Sequence, residues 1–206
     1  MFDINAVRQE HTNATDQLAY EVNTLWEVFQ ETDWYGNTKH FPNAHHGYVM
    51  MCFARIDLLS LYWRPPYDPV RTPQYDHKRD KQTLRMRAFM EQYLYPQRVH
   101  EIRVAVQLWR HTLMHTSEPR RLRDKRTNQE YEYLLLFGDW LPREQHFTFA
   151  SQPTTEILNV AITYLVDDLR TGTDKYLNDL EADIDSAQAK YMQTEPHIRL
   201  QEFCSP

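Results

Sequence analysis

Apolar positions recur every three or four residues along most of this chain, which is the spacing of helices with one buried face. In "TNATDQLAYEVNTLWEVFQET", residues 12–32, Leu18, Val22, Leu25 and Phe29 share a face, and Thr12 or Asn13 is placed to cap it. Gly36 and Pro42 bracket the loop that follows. "AHHGYVMMCFARIDLLSLYW", residues 44–63, is apolar nearly all round and so belongs at the centre of the packing. Its exceptions are Arg55 and Asp57, and a buried charge is costly unless it is paired. Residues 64–77, "RPPYDPVRTPQYDH", hold four prolines, which exclude helix or central strand and leave a long loop. A third helix is expected over 78–94, ending before Pro96. A fourth runs from about Arg98 to Thr116, with Ile102, Val106, Trp109 and Leu113 as its buried stripe and Ser117 and Pro119 as its stop.

The period then shortens. "RLRDKR", "YEYLLLF" and "HFTFA" read as short strands, with "TNQ" turning between the first two. They predict a small β-hairpin or three-stranded flap at about 120–149, inserted in a helical protein. From Pro153 the helical spacing returns through Leu158, Ile162, Leu165 and Leu169, and continues through Tyr176, Leu177, Leu180 and Ile184. Ser151 and Pro153 suit its start, and Gly172 suits a kink or break. The expected architecture is mainly α: a single-domain bundle of about five long helices, the β insertion, and a weakly ordered tail over 195–206.

A length of 206 residues suits one domain, and only four glycines among many Leu, Arg, Gln and Glu favour helix over an all-β design. No apolar run approaches the roughly 18 residues of a membrane span, and "MFDINAVRQEHTN" lacks the pattern of a signal peptide. Cys52 and Cys204 make neither a disulfide framework nor a zinc site. These features predict a cytoplasmic protein with no membrane partner. The net charge of −6 argues against a general nucleic-acid coat. The charge is segregated, however. Residues 79–126 carry 12 Lys/Arg against 5 Asp/Glu, a local +7 that leaves −13 for the rest. That zone fits either a local nucleic-acid site or pairing with the acidic "DLEADID" near the C-terminus, in this or another subunit.

The basic zone contains "RHTLMH", residues 110–115. Arg offers a fixed charge and a planar fork for phosphate oxygens, and His titrates near neutrality and moves protons. Together they suit attack of an RNA 2′-hydroxyl on its neighbouring phosphate, with no metal or other cofactor. His111 shares a helical face with His115, while Arg110 lies about 140° round an α-helix from His115. A second Arg-to-His match, Arg71 to His77, falls in the Pro-rich loop and is set aside. His111 and His115 also have the HxxxH spacing of metal ligands, which His45, His46 and His100 would have to complete. Arg120, Arg121, Arg123, Lys125 and Arg126 follow the pair directly and suit phosphate contacts. Asp57, with Arg55, is the candidate to orient Arg110 or His115. No Gly-rich phosphate loop, GxSxG elbow or CxxC pair is present.

"RHTLMH" at the end of a bundle helix resembles the Arg-x(4–6)-His signature of HEPN domains, in which a polar residue typically follows the Arg. The resemblance extends over the helical order from about residue 12 to 180. It implies an all-α bundle that forms a homodimer and brings two motifs to a shared cleft. It also implies a metal-independent endoribonuclease of defence or toxin–antitoxin systems, with an antitoxin or regulatory protein as a possible partner. Arg110 and His115 would be the catalytic pair and His111 the polar residue beside them. Other members have lost the motif and only bind or scaffold, which leaves a non-catalytic interaction module as the alternative. The flap and the Pro-rich loop lie outside the minimal family pattern.

Overall fold

The computed structural model describes residues 3–30, 44–63, 82–112, 121–136 and 141–186. It is mainly helical, with one four-stranded sheet. Helix α1 spans Ile4–Gln30 and begins a full two turns before the expected Thr12. Asp3 is the reason: its Oδ1 accepts the N–H groups of Asn5 at 3.0 Å and Ala6 at 3.2 Å, as an N-cap does. Val7, His11, Thr15, Leu18 and Val22 are its buried stripe.

Helix α2, Ala44–Trp63, takes the central place its composition predicts, with Val49, Cys52, Ile56 and Leu59 sealed from solvent. Burial pushes the Cys52 thiol up to about 12, so this cysteine is an inert core residue. Helix α3, Gln82–Tyr93, packs on α2. Helix α4 is shorter than expected. It runs Val99–Val106 and passes into a π-helical segment, Gln107–Thr112. The expected stripe is present in Ile102, Val106 and Trp109, all buried. Leu113, Ser117 and Pro119 lie outside the described residues, as do the Pro-rich loop and the tail.

The largest departure is after residue 150. Strands β1 (Leu122–Arg123), β2 (Glu130–Leu136), β3 (Thr148–Ser151) and β4 (Thr155–Ala161) form one sheet in the order β1-β2-β4-β3. Thr155–Ala161 is therefore a strand, not the expected helix, and it lies between β2 and β3. It runs parallel to β2, with Tyr133 opposite Leu158, and antiparallel to β3, with Phe149 opposite Leu158. Leu158, Asn159, Val160 and Ala161 are all buried, so both faces of this strand are covered. With Thr155, Glu156 and Asn159 interrupting its apolar residues, this stretch shows no clean alternation of its own. Leu158 happens to fall four residues before Ile162 and so mimics a helical stripe. Pro153 stands in the β3–β4 turn, which Gln152 closes by donating to the Thr155 carbonyl at 2.9 Å.

Helix α5, Ile162–Ala182, starts where β4 ends. It runs antiparallel to α1: Arg8 reaches Glu181 and Asn178, while Asp16 reaches Arg170. The helix runs unbroken through Gly172. A Cβ there would stand 2.7 Å from Leu94 Cδ2 and 3.2 Å from the Tyr93 carbonyl. The glycine permits a close approach of α5 to the end of α3. Ile184 lies past the helix end and is exposed, whereas Tyr176, Leu177 and Leu180 are core residues. No helix among the described residues is long and apolar enough to cross a membrane.

Candidate functional site

His100, Arg103, Val104 and Gln107 recur at three- and four-residue spacing, so they share one face of α4 and its π-helical continuation. Opposite them stand Leu122, Arg123, Asp124, Lys125 and Tyr131 of the β1–β2 hairpin. The two walls enclose a cleft of about 250 Å³. Arg103, Arg123 and Lys125 outnumber its one carboxylate, Asp124. Such a concave cationic surface binds phosphate groups.

The hairpin holds this wall by local chemistry. Asn128 adopts a left-handed conformation, φ 64°, which Asn tolerates better than most residues. Asp124 closes the turn with its backbone, and its Oδ1 accepts the Arg126 N–H at 2.8 Å. That bond holds the Asp124 carboxyl below its ordinary value, and Arg103 adds to the effect. Asp124 Oδ2 lies 3.5 Å from Arg103, so the carboxylate partly neutralises a cation of the cleft. At the other end His100 Nε2 is 3.5 Å from Glu156, and its ring packs on Phe149 and Tyr131.

Of the expected phosphate contacts, Arg123 and Lys125 line the cleft. Arg121 is drawn along the strand to Glu130 and Glu132. Arg126 sits in the turn, exposed. Arg120 lies outside the described residues. His100, Arg103 and Gln107 were not foreseen, although their shared helical face is readable from spacing. What spacing does not show is that the hairpin folds back over that face. Within the chain, Glu181 of the acidic C-terminal stretch pairs with Arg8, outside the basic zone.

The backbone of Arg110 and His111 lies in the π-helical segment; His115 lies outside the described residues. Arg55 turns toward α1, where it donates to His11 Nδ1 at 2.8 Å and to the His11 carbonyl at 2.9 Å. Among the described residues this guanidinium engages α1; His115, which Arg55 is expected to support, lies outside them. Asp57 is half-buried on α2, and its carbonyl accepts the Ser60 hydroxyl. Burial pushes the His11 imidazole down to about 3, and the Arg55 charge acts in the same direction. His46 bonds Tyr133 Oη at 2.6 Å, well apart in sequence from the His100–Glu156 pair. Among the described residues no three His, Cys, Asp or Glu side chains converge as metal ligands.

A second polar cluster is buried. His146 Nε2 lies 3.2 Å from Asp168 Oδ2 and 3.1 Å from Tyr95 Oη, and its Nδ1 accepts the Ala161 N–H at 3.0 Å. Arg143 pairs with the same Asp168 and lies over the Tyr164 ring. Burial alone would raise the Asp168 carboxyl, yet bonds from His146 and Tyr95 and the Arg143 charge hold it below its ordinary value. Both nitrogens of His146 are occupied, so this Asp–His pair presents none to a substrate.

No family profile, curated protein or solved structure matches this chain.

Proposed function

We propose that this protein is a HEPN-like, metal-independent endoribonuclease, working as a homodimer, whose basic cleft seats RNA beside the Arg110–His115 pair. The observation that carries the reading is the cleft itself. Arg103 stands on the helix whose next turn bears Arg110 and His111, and Arg123 and Lys125 face it from the hairpin. Phosphates held by Arg103, Arg123 and Lys125 would run the strand toward that turn.

In the reaction, Arg110 stabilises charge on the phosphate as the 2′-hydroxyl attacks. His115 takes the hydroxyl proton, or returns one to the leaving oxygen, and His111 supports it.

The test is incubation of RNA with the protein in excess chelator. Wild type should cleave, and His115→Ala and Arg110→Ala should each lose about a hundredfold or more. Equal cleavage by wild type and His115→Ala would reject the assignment. RNA binding with no cleavage by any of them would favour a non-catalytic interaction module.

A further inference from the structure

Between β2 and β4 the chain returns as a strap, residues 141–151, that ends in β3. We propose that this strap is a proton-released latch on the cleft: neutral His146 holds it down, and Phe149 transmits its position to His100 and Tyr131. The inference rests on the RNA reading and extends it by naming how that binding site is regulated.

The first support is the hydrogen-bond polarity at His146, which is only 3% exposed. Nδ1 accepts the Ala161 N–H, so the single proton of the neutral ring resides on Nε2, facing Asp168. A second proton would set two N–H donors against each other at Nδ1. The charged groups around the ring are Asp168 and Asp167 of α5, Arg143 of the strap, and Arg98 from the α3–α4 connection; Tyr95 and Tyr164 are further titratable neighbours. Asp168 favours the charged ring, but Arg143 shares that carboxylate. Burial pushes the imidazole below its ordinary value, and Arg143 and Arg98 push the same way.

The second support is stored strain. Phe147 has φ 55°, a left-handed conformation unusual for an aromatic residue. It is held there from three sides. Its N–H donates to the Asn159 carbonyl at 2.8 Å, its carbonyl accepts from Arg98 at 2.9 Å, and its ring stacks on Tyr95 at 3.9 Å. Losing the His146 bonds removes the neighbouring anchor and lets that conformation relax.

The third support links strap to cleft. Phe149 on β3 packs 5.1 Å from the His100 ring and 5.8 Å from the Tyr131 ring, and both of those residues line the cleft. When β3 lifts, that wall loses its backing.

The sign of the effect is diagnostic. A plain cationic cleft loses no positive charge in acid, so its affinity for RNA does not fall. A latch opened by protonation makes binding weaker. The experiment uses full-length protein carrying His115→Ala, so that no strand is cut, with labelled single-stranded RNA, chelator and constant ionic strength. Affinity is read by anisotropy from pH 7.5 to 5.0, beside amide exchange of residues 148–151 corrected for intrinsic rates. Affinity should fall as the pH is lowered, because the released His146 ring binds a proton more tightly than the latched one. Protection of β3 should fall with it. His146→Asn keeps an acceptor for the Ala161 N–H and gains no charge, so it should retain both. Phe149→Ala should bind weakly already at pH 7.5 while the His146 bonds persist. Affinity that holds or rises in acid with β3 still protected overturns the latch. Normal binding by Phe149→Ala overturns its link to the cleft. Absence of RNA binding at pH 7.5, with β3 protection still lost in acid, rejects the RNA reading and leaves the latch standing.

Discussion

Single residues set the charge of the cleft. Asp124 faces Arg103 across 3.5 Å and lowers the net positive field there. Asp124→Asn keeps the turn's acceptor and removes the charge. RNA should then bind up to about fivefold more tightly, the range of an exposed ion pair. Arg103→Ala should weaken binding and flatten the dependence on log salt by roughly 0.7, the loss of one phosphate contact. Titration at two salt concentrations checks both, and unchanged slopes would remove Arg103 from the contact set. Away from the cleft, His11 lends the fold an acid-sensitive element. Its folded value, about 3, lies below the unfolded one, so the stability it contributes is full above pH 6.5. That stability is lost as pH falls from 6.5 toward 3, to a total of roughly 3–5 kcal/mol. Urea midpoints should therefore fall less steeply with acid in His11→Gln, whose amide oxygen still accepts from Arg55. Parallel curves for the two proteins would refute this.

At the scale of elements, the glycine in α5 and the strand β4 are both matters of close contact. Gly172→Ala gains about 1 kcal/mol of helix propensity but drives a methyl toward Leu94 and the Tyr93 carbonyl. Overpacking of this kind costs about 1–3 kcal/mol, so the variant should melt lower than wild type. A raised melting temperature would mean that α5 and α3 can separate freely. Leu158→Ala in β4 should cost about 2–5 kcal/mol, because the side chain is fully buried in the hydrophobic core. The extents of α2 and β2 are legible because each has an unambiguous signal: one apolar all round, one rich in Tyr and Leu after a turn. The start of α1 is legible too, in Asp3, although Thr12 offers an equally good capping side chain nearer the apolar stripe. β4 is not, because seven residues covered on both faces leave neither a period of two nor of 3.6.

For the whole molecule, what reads in sequence as a flap on a helical bundle is built into its core. β4 enters between β2 and β3 and leads straight into α5, so the sheet and the bundle share Leu158, Val160 and Ile162. The strap therefore touches both the bundle, through Tyr95 and Asp168, and the cleft, through Phe149. If two copies bring their α4 ends together, sedimentation should report a dimer, and mixing inactive His115→Ala with inactive Arg110→Ala should restore cleavage. No recovery in a confirmed mixed dimer would argue that each chain uses its own pair.

The sequence alone determined the helical class, the central α2, the amphipathic α4 and the presence of an Arg–His pair at its end. Each of these is a local property, written in the spacing of apolar side chains and in the chemistry of neighbours along the chain. Only the tertiary structure decided that Thr155–Ala161 is a strand, that Arg55 belongs to His11, and that the hairpin closes on α4 to make a cleft. Those outcomes depend on which surfaces meet. A seven-residue stretch without a clean period takes its form from the strands it meets, β2 among them more than twenty residues away, and a cation's role from the carboxylate or imidazole that packing brings to it.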